Sequence, residues 1–375
     1  MTIKQIIVGA MLSTLIFVPQ TMSAQKQFTL EDLNFGGNNF HNMVPKNRYA
    51  TWWGDQLVRT DAEFCALVDK KTGKETRLFS TDELNKWIYP NGENKVRSLY
   101  SAAFPYPNQT LVLLNVNQTR MLVNWKTKKV DWKQEAKDEI AADWNAQSRA
   151  VAFVKDDNLY VNDGKGVLKQ LSTDGSRNIV YGQSVHRDEF GIYKGTFWSN
   201  DGQKLAFYRM DQSMVADYPL VDVDTRIATE TPVHYPMAGE KSHLVTVGVY
   251  DLNTGKTVYL NTGDPTDRYF TNIAWAPDGK LIYLIELNRA QNHYSLDAYD
   301  PTTGNKTATL YTESSNKYVH PTHPITFIPW DKNHFILQSE KDGYNHLYLF
   351  DTNGKQIKQL TTGKWIVIDL MGFNA

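Results

Sequence analysis

The chain has 375 residues, enough for two average domains or one large repeat assembly, and its 40 basic and 41 acidic side chains leave a formal net charge of −1. That balance argues against a nucleic-acid groove or an anionic membrane surface as the main partner. Ten Trp, 20 Tyr and 16 Phe favour strands and lean the composition towards an all-β protein.

Met1–Ala24 reads as an export signal. Lys4 gives a short basic start, and Ile6–Val18 is an apolar run too short to span a bilayer comfortably. Met22-Ser23-Ala24 then ends in a small residue before Gln25. The expected location is periplasmic or secreted, with no membrane contact after signal cleavage. No cysteine follows directly on the apolar run, so a lipoprotein anchor is not expected. The single cysteine, Cys65, can form no internal disulfide and reads as a small buried strand residue rather than a nucleophile.

Residues 25–47 form a lead-in, with a short helix expected within Gln27–Leu33. From Arg48 onward, short strands alternate with turn signals at spacings near ten residues. A larger period overlies them. Ile140–Asn145, Lys194–Ser199, Thr271–Ala276 and Pro324–Trp330 each bring a tryptophan to the end of a strand. Each is followed by a polar turn and an apolar strand: Ala150–Phe153, Leu205–Tyr208, Leu281–Leu284 and Phe335–Leu337. Third and fourth strands follow in most units, as in Ser295–Asp300 leading through Thr303-Gly304 to Thr307–Leu310.

Four short antiparallel strands recurring every 40 to 60 residues predict an all-β β-propeller, because one twisted sheet cannot cover both of its own faces. About six units are expected: Arg48–Phe79, Ser98–Trp132, Ile140–Thr173, Tyr193–Leu260, Thr271–Thr312 and Pro324–Thr361. The second is weakly patterned. The fourth is lengthened by a Pro-containing loop at Ala228–Lys241. A seventh starts at Trp365–Asp369, leaving an incomplete ring, so the sequence reads as the N-terminal part of a longer protein.

Familiar catalytic signatures are missing from the sequence. There is no Gly-x-Ser-x-Gly elbow, no His-Glu-x-x-His, no Walker motif and no Gly-x-Gly-x-x-Gly. His320 and His323 sit in a Pro-rich run without Cys or an adjacent acid, which reads as a rigid loop between blades rather than a metal site. No metal or cofactor is implied. The unrepeated feature is Arg187-Asp188-Glu189, just ahead of the hairpin Phe197–Tyr208. Adjacent carboxylates are often simply solvated. Here Tyr181, Val185, Phe190, Ile192 and Tyr193 flank them, and carboxylates desolvated among aromatics would hold a cation such as a primary ammonium. Arg187 would pair with them or orient them.

These residues resemble a known family. His186–Val223 is similar to the propeller segment of dipeptidyl peptidase IV and its bacterial relatives in the prolyl oligopeptidase clan. Tyr235–Gly239, Glu286–Asn292 and Leu360–Val367 match in the same order, and the resemblance runs from about Leu30 to Ala375. It implies an eight-bladed propeller over residues 48–375, followed in the parent chain by an α/β-hydrolase domain with a Ser-Asp-His triad that lies outside this sequence. The implied activity is serine-type release of N-terminal di- or tripeptides with Pro or Ala in the penultimate position. Asp188 and Glu189 match the acidic pair that binds the substrate ammonium in that family. Arg187 accompanies them as a substrate-binding candidate, with Tyr193 and Arg120 as weaker ones, Arg120 being set against the family's carbonyl-binding arginine. The family usually has Glu-Glu where this chain has Asp-Glu, and its second blade is longer. The implied partners are peptide N-termini, the hydrolase domain of the same parent chain, and a second copy in a full-length homodimer. On its own this chain is expected to be inactive.

Two other readings compete. A non-catalytic propeller that binds peptides or proteins needs no downstream domain. A periplasmic sugar-processing propeller would bring acidic residues from several blades, and only one such cluster is visible.

Overall fold

A strand whose side chains are apolar on both faces needs a neighbouring layer on each side, and that requirement organises this chain. The computed structural model describes residues 27–40, 49–93 and 95–373. The export-signal segment and Arg48 lie outside the described residues. The lead-in carries a single helical turn, α1 (Leu30–Leu33), within the expected Gln27–Leu33 and held by a capping box between Thr29 and Asp32.

Blade 1 comprises β1 (Tyr49–Trp53), β2 (Gln56–Thr60), β3 (Phe64–Val68) and β4 (Glu75–Ser80), paired in chain order. The helix α2 (Thr81–Ile88) follows, capped by Ser80 and Glu83. Blade 2 has three strands, β5 (Leu111–Val116), β6 (Thr119–Asn124) and β7 (Lys129–Glu135). A lone bridge from Ala103 to Leu113 marks where its first strand would lie, which explains the weak sequence pattern there. Blade 3 comprises β8 (Ile140–Trp144), β9 (Val151–Lys155), β10 (Asn158–Asn162) and β11 (Leu168–Gln170).

Blade 4 is the irregular one. It contains β12 (Ile179–Tyr181), β13 (Thr196–Trp198) and β14 (Lys204–Asp211). A separate hairpin, β15 (Asp217–Asp222) with β16 (Thr229–His234), interrupts it before β17 (Leu244–Asp251) and β18 (Lys256–Tyr259). Two expectations are corrected here. The insertion is this paired hairpin rather than a loop confined to residues 228–241. The blade also begins at Ile179, so the charged turn lies inside its first strand and not ahead of it. Blade 5 comprises β19 (Arg268–Trp275), β20 (Ile282–Asn288), β21 (His293–Tyr299) and β22 (Lys306–Ser314). Blade 6 comprises β23 (Thr326–Ile328), β24 (Asp331–Ser339), β25 (His346–Asp351) and β26 (Gln356–Gln359).

The second strand of a blade shows why the blades must stack. On β14, Leu205 and Phe207 pack with Val154 and Leu159 of blade 3, while Ala206 and Tyr208 pack with Phe270 and Ile282 of blade 5. On β20, Ile282 and Leu284 face blade 4, while Tyr283 and Ile285 join Phe335 and Leu337 of blade 6. Each such side chain contributes about 1.5–3 kcal/mol when fully buried. Cys65 lies in the equivalent layer between blades 1 and 2, where burial pushes its thiol up to about 12.

No ladder joins blade 6 to blade 1 among the described residues. Residues 365–369, expected to open a seventh blade, run without a ladder of their own. They are tied to blade 6 where the Val367 N–H donates to the Asn345 carbonyl and the Asn345 side chain donates to the Val367 carbonyl.

Candidate functional site

The charged turn is an excursion from the first strand of blade 4. β12 pairs with Arg209–Asp211 and β13 with Leu205–Phe207, so residues 182–195 leave the sheet opposite the single residue Tyr208. The ladder is nevertheless closed at that point. The Gly182 N–H donates to the Tyr208 carbonyl, and the Tyr208 N–H donates to the Gly195 carbonyl, both at 2.9 Å. Glycine is required where the two ends of the excursion meet: a Cβ on Gly195 would lie 2.1 Å from the Gln183 carbonyl oxygen.

Within the excursion, His186–Asp188 forms a short 3₁₀ turn. His186, Arg187, Asp188 and Phe190 all have φ between 52° and 62°, the left-handed region that non-glycine residues seldom occupy. The turn holds this strained backbone because its apolar residues are anchored. Val185, Phe190 and Ile192 are buried, and Phe190 packs on Tyr269 with ring centroids 4.9 Å apart. Arg187, Asp188 and Glu189 are left exposed between these anchors.

Blades 3 and 5 clamp the excursion from either side, each through an irregular first strand. In β8 the register shifts between Ile140 and Asp143, and the Asp143 carboxylate accepts from Lys194 Nζ at 3.1 Å and Thr196 Oγ1 at 3.0 Å. In β19 the register shifts at Asn272 (φ 55°), whose side-chain amide donates to the carbonyls of Phe190 at 3.2 Å and Pro321 at 2.8 Å. Bulges of this kind re-aim a side chain out of the ladder. The His320–Pro324 run is therefore more than a connector. Its Thr322 carbonyl lies where a Cβ on Gly191 would come within 1.9 Å.

The floor of the turn is a pair of imidazoles. His186 and His243 are 3% and 2% exposed, stand 5.8 Å apart edge to face, and have no hydrogen-bond partner on any ring nitrogen. Tyr269 closes the other side of His186 at 4.9 Å. Burial, reinforced by the neighbouring His243, pushes His186 down to about 3. Burial together with the Arg187 charge pushes His243 down to about 4. Both rings are neutral at ordinary pH.

The carboxylates of Asp188 and Glu189 make no hydrogen bond or ion pair with the described residues. They are not desolvated among aromatics as expected, because their flanking apolar side chains point inward and the carboxylates outward. Arg187 does not pair with them either; its guanidinium lies over the Tyr235 ring, 5.6 Å from the centroid. Tyr193 is 81% exposed on the same excursion and lines a pocket of about 240 Å³ between blades 4 and 5. Arg120 is not brought to the turn by any contact. On β6 it is held in an ion pair with Glu139 at 2.9 Å, with 7% and 6% of the two side chains exposed, and it donates to Gln134 Oε1 at 3.2 Å. Sequence reading missed His186, His243, Tyr269 and Asn272. Only an asparagine inside a strand pattern hinted at the bulge.

The two exposed carboxylates can accept charge-assisted hydrogen bonds from a cation that brings its own donors. Among the described residues no group of three His, Cys, Asp or Glu is placed to hold a metal ion, and no helix is long and apolar enough to cross a membrane.

Comparison with known proteins places the geometry in a family. Residues 108–375 match the family described as the dipeptidyl peptidase IV N-terminal region. A solved structure from Bacteroides ovatus, a candidate dipeptidyl aminopeptidase IV, superposes with a TM-score of 0.82 at 44% identity, covering 93% of this chain and 51% of that one. Dipeptidyl peptidase 4 of Porphyromonas gingivalis shares the fold with a TM-score of 0.71 at 21% identity and the same two coverages. The dipeptidyl-aminopeptidase B sequences of Talaromyces marneffei and Phaeosphaeria nodorum are 29% and 30% identical over 257 and 261 residues, 61% of this chain and 28% of each relative. The chain thus spans about half the length of these solved relatives and about a quarter of these curated ones.

Proposed function

Because this chain belongs to the dipeptidyl peptidase IV N-terminal region family, we propose that it is the substrate-selecting propeller of a dipeptidyl-peptidase-IV-like serine exopeptidase. In this reading Asp188 and Glu189 hold the ammonium group of a peptide N-terminus. The parent protein then releases N-terminal di- or tripeptides with Pro or Ala in the penultimate position, using a hydrolase domain of the same parent chain. The reading extends to an exported protein, periplasmic or secreted, whose residues 48–375 are one propeller domain and whose full-length form is a homodimer.

The observation that carries it is the pair of unpaired, exposed carboxylates on a turn fixed in strained backbone by both neighbouring blades. A solvated loop has no need of such anchoring. Held carboxylates lose little further freedom on binding, so more of each charge-assisted bond appears as affinity.

The test is binding of a Gly-Pro-initiated tetrapeptide to the purified chain, with the free amine and after N-acetylation. Acetylation and Glu189→Gln are each expected to weaken binding at least ~10-fold, as loss of a charge-assisted contact of about 1.5–3 kcal/mol requires. Equal affinity for the two peptides would assign the pair to solvent. In the longer parent, the same substitution should lower kcat/KM for a Gly-Pro chromogenic substrate, whereas a non-catalytic binding propeller would bind the peptide and release nothing.

A further inference from the structure

Three consecutive charged residues, Arg187, Asp188 and Glu189, stand exposed on the turn. Left to itself, a guanidinium so close in sequence to two carboxylates pairs with them, because exposed ions of opposite sign attract at that range. Carboxylates closed in this way would not be open to a peptide ammonium. Among the described residues, however, Arg187 has no ion pair with either one. Its guanidinium lies over the ring of Tyr235, 5.6 Å from the centroid.

Tyr235 follows directly on β16, at the root of the inserted hairpin, and it is held there from several sides. Its N–H donates to the Ala216 carbonyl at 3.0 Å, and its ring packs on that of Tyr218 in β15 with centroids 5.9 Å apart. The preceding His234 is buried, with Nδ1 3.0 Å from the Val215 carbonyl and Nε2 2.9 Å from Asn178 Oδ1. Asn178 is the residue ahead of β12, the strand that leads into the excursion. Arg177 beside it pairs with Asp217 of β15 and donates to the Pro232 carbonyl of β16 at 3.0 Å. The hairpin root and the start of the excursion are thus fastened together. Arg187 in turn follows His186, which is buried beneath the turn. Ring and guanidinium both stand on fixed backbone, so their stacking costs little ordering.

The two contacts open to Arg187, a salt bridge or a ring face, are both weak at an exposed site and of the same order. A ring already in place therefore decides between them. We infer that Tyr235 is a positioning residue for the acidic pair: by stacking on Arg187 it keeps the guanidinium off Asp188 and Glu189 and leaves both carboxylates open to a peptide's ammonium group. The inserted hairpin of blade 4 serves the charged turn through this one ring. The role rests on the ammonium reading for the identity of the cation, whereas the hold of Tyr235 on Arg187 does not.

The test titrates Gly-Pro-Ala-Ala into the full chain as wild type, Tyr235→Leu, Arg187→Gln and the double variant. Tyr235→Leu should weaken binding about 2–5-fold, the equivalent of the ~0.5–1 kcal/mol of an exposed cation–π contact. In the Arg187→Gln background the same substitution should change nothing, because the competitor is gone, and the double-variant cycle isolates that coupling. A Tyr235 that only supports the fold would weaken binding equally in both backgrounds, which overturns the inference. Arg187→Gln alone leaves the hairpin root untouched and should not weaken binding; a loss there would make Arg187 a ligand and overturn it as well. Tyr235→Trp, a better face for a cation, should bind at least as tightly as the wild type. The side-chain Nε–H resonance of Arg187, identified by its loss in Arg187→Gln, reads the stack without any peptide. It should lose its ring-current shift in Tyr235→Leu and move again when Glu189→Gln is added. A resonance indifferent to Tyr235→Leu overturns the inference. If the wild type binds free and N-acetylated peptides alike, or neither, while the resonance behaves as expected, the ammonium reading falls and the hold of Tyr235 on Arg187 stands.

Discussion

The indole N–H of Trp275 in blade 5 donates to the carbonyl of Phe197 in blade 4 at 2.9 Å. One blade earlier, Trp198 makes the same reach to the Asp143 carbonyl of blade 3, also at 2.9 Å. Among the described residues the blades share no ladder hydrogen bonds, so these contacts, like those of Asp143 and Asn272, give directional ties between layers joined mainly by apolar packing. Trp275→Phe keeps most of the ring and removes the indole donor, leaving the Phe197 carbonyl with its partner in the β13–β14 ladder. It should lower stability by about 0.5–1.5 kcal/mol, read as a fall in urea midpoint at unchanged slope. Trp330→Phe, at a site 59% exposed, should change it by less than about 0.5 kcal/mol. Equal effects at the two sites would refute the tie.

The excursion depends on glycine at its tightest points. Gly191 has φ +75°, and a Cβ there would lie 1.9 Å from the Thr322 carbonyl oxygen. Gly191→Ala should cost about 2–4 kcal/mol, from left-handed strain and overlap together. The turn would be displaced and peptide binding lost with it. Gly343 has φ +99° but open space around its Cβ position, so Gly343→Ala should show the strain alone, about 1–2 kcal/mol, with binding intact. Thermal melts with parallel peptide titrations separate the two.

The neutral imidazoles beneath the turn predict acid sensitivity. Folded values of about 3 for His186 and about 4 for His243 lie below the unfolded value near 6.5. Below pH ~6.5 the unfolded chain therefore binds protons that the folded chain refuses, so stability falls as pH drops from ~6.5 towards 4. Each histidine contributes a slope of at most about 1.4 kcal/mol per pH unit, and nothing above that window. His186→Phe combined with His243→Phe should flatten urea-midpoint-against-pH between pH 4 and 6.5. An unchanged slope in the double variant would place the acid sensitivity elsewhere.

Arg120 and Glu139 form a buried ion pair remote from any contact with the turn. Breaking such a pair by removing one partner typically costs about 3–5 kcal/mol, whereas replacing both with apolar residues is often close to neutral. Glu139→Met is therefore expected to be strongly destabilising, and Arg120→Met with Glu139→Met much less so. If the double variant recovers stability and still binds the free-amine peptide as the wild type does, Arg120 is structural. Loss of binding in the recovered double variant would return Arg120 to the substrate.

The strand-turn-strand rhythm was legible because its cause is local. Leu205–Tyr208 or Leu281–Ile285, apolar on successive residues, can only be a strand buried on both sides, and such strands require stacked sheets. The acidic pair stood out in the sequence for another reason: it was the polar motif that the repeat did not explain. Its surroundings were misread. Apolar neighbours in sequence suggested desolvated carboxylates, yet the turn carries Arg187, Asp188 and Glu189 outward as three consecutive exposed residues while Val185, Phe190 and Ile192 on either side are buried.

The tryptophan repeat shows the same division. Trp144, Trp198, Trp275 and Trp330 end similar strands, but only Trp198 and Trp275 among them donate across to the preceding blade; Trp144 Nε1 is unpartnered and Trp330 is exposed. Periodicity of burial along one strand is a property of that strand's own residues, and the amino-acid order alone determines it. Tertiary structure decided what lies beside each strand: the bulges at Asp143 and Asn272, the imidazole pair from segments 57 residues apart in the chain, and the Tyr208 hydroxyl left without a partner. Those contacts join residues distant in sequence, and no local pattern encodes which distant backbone will arrive.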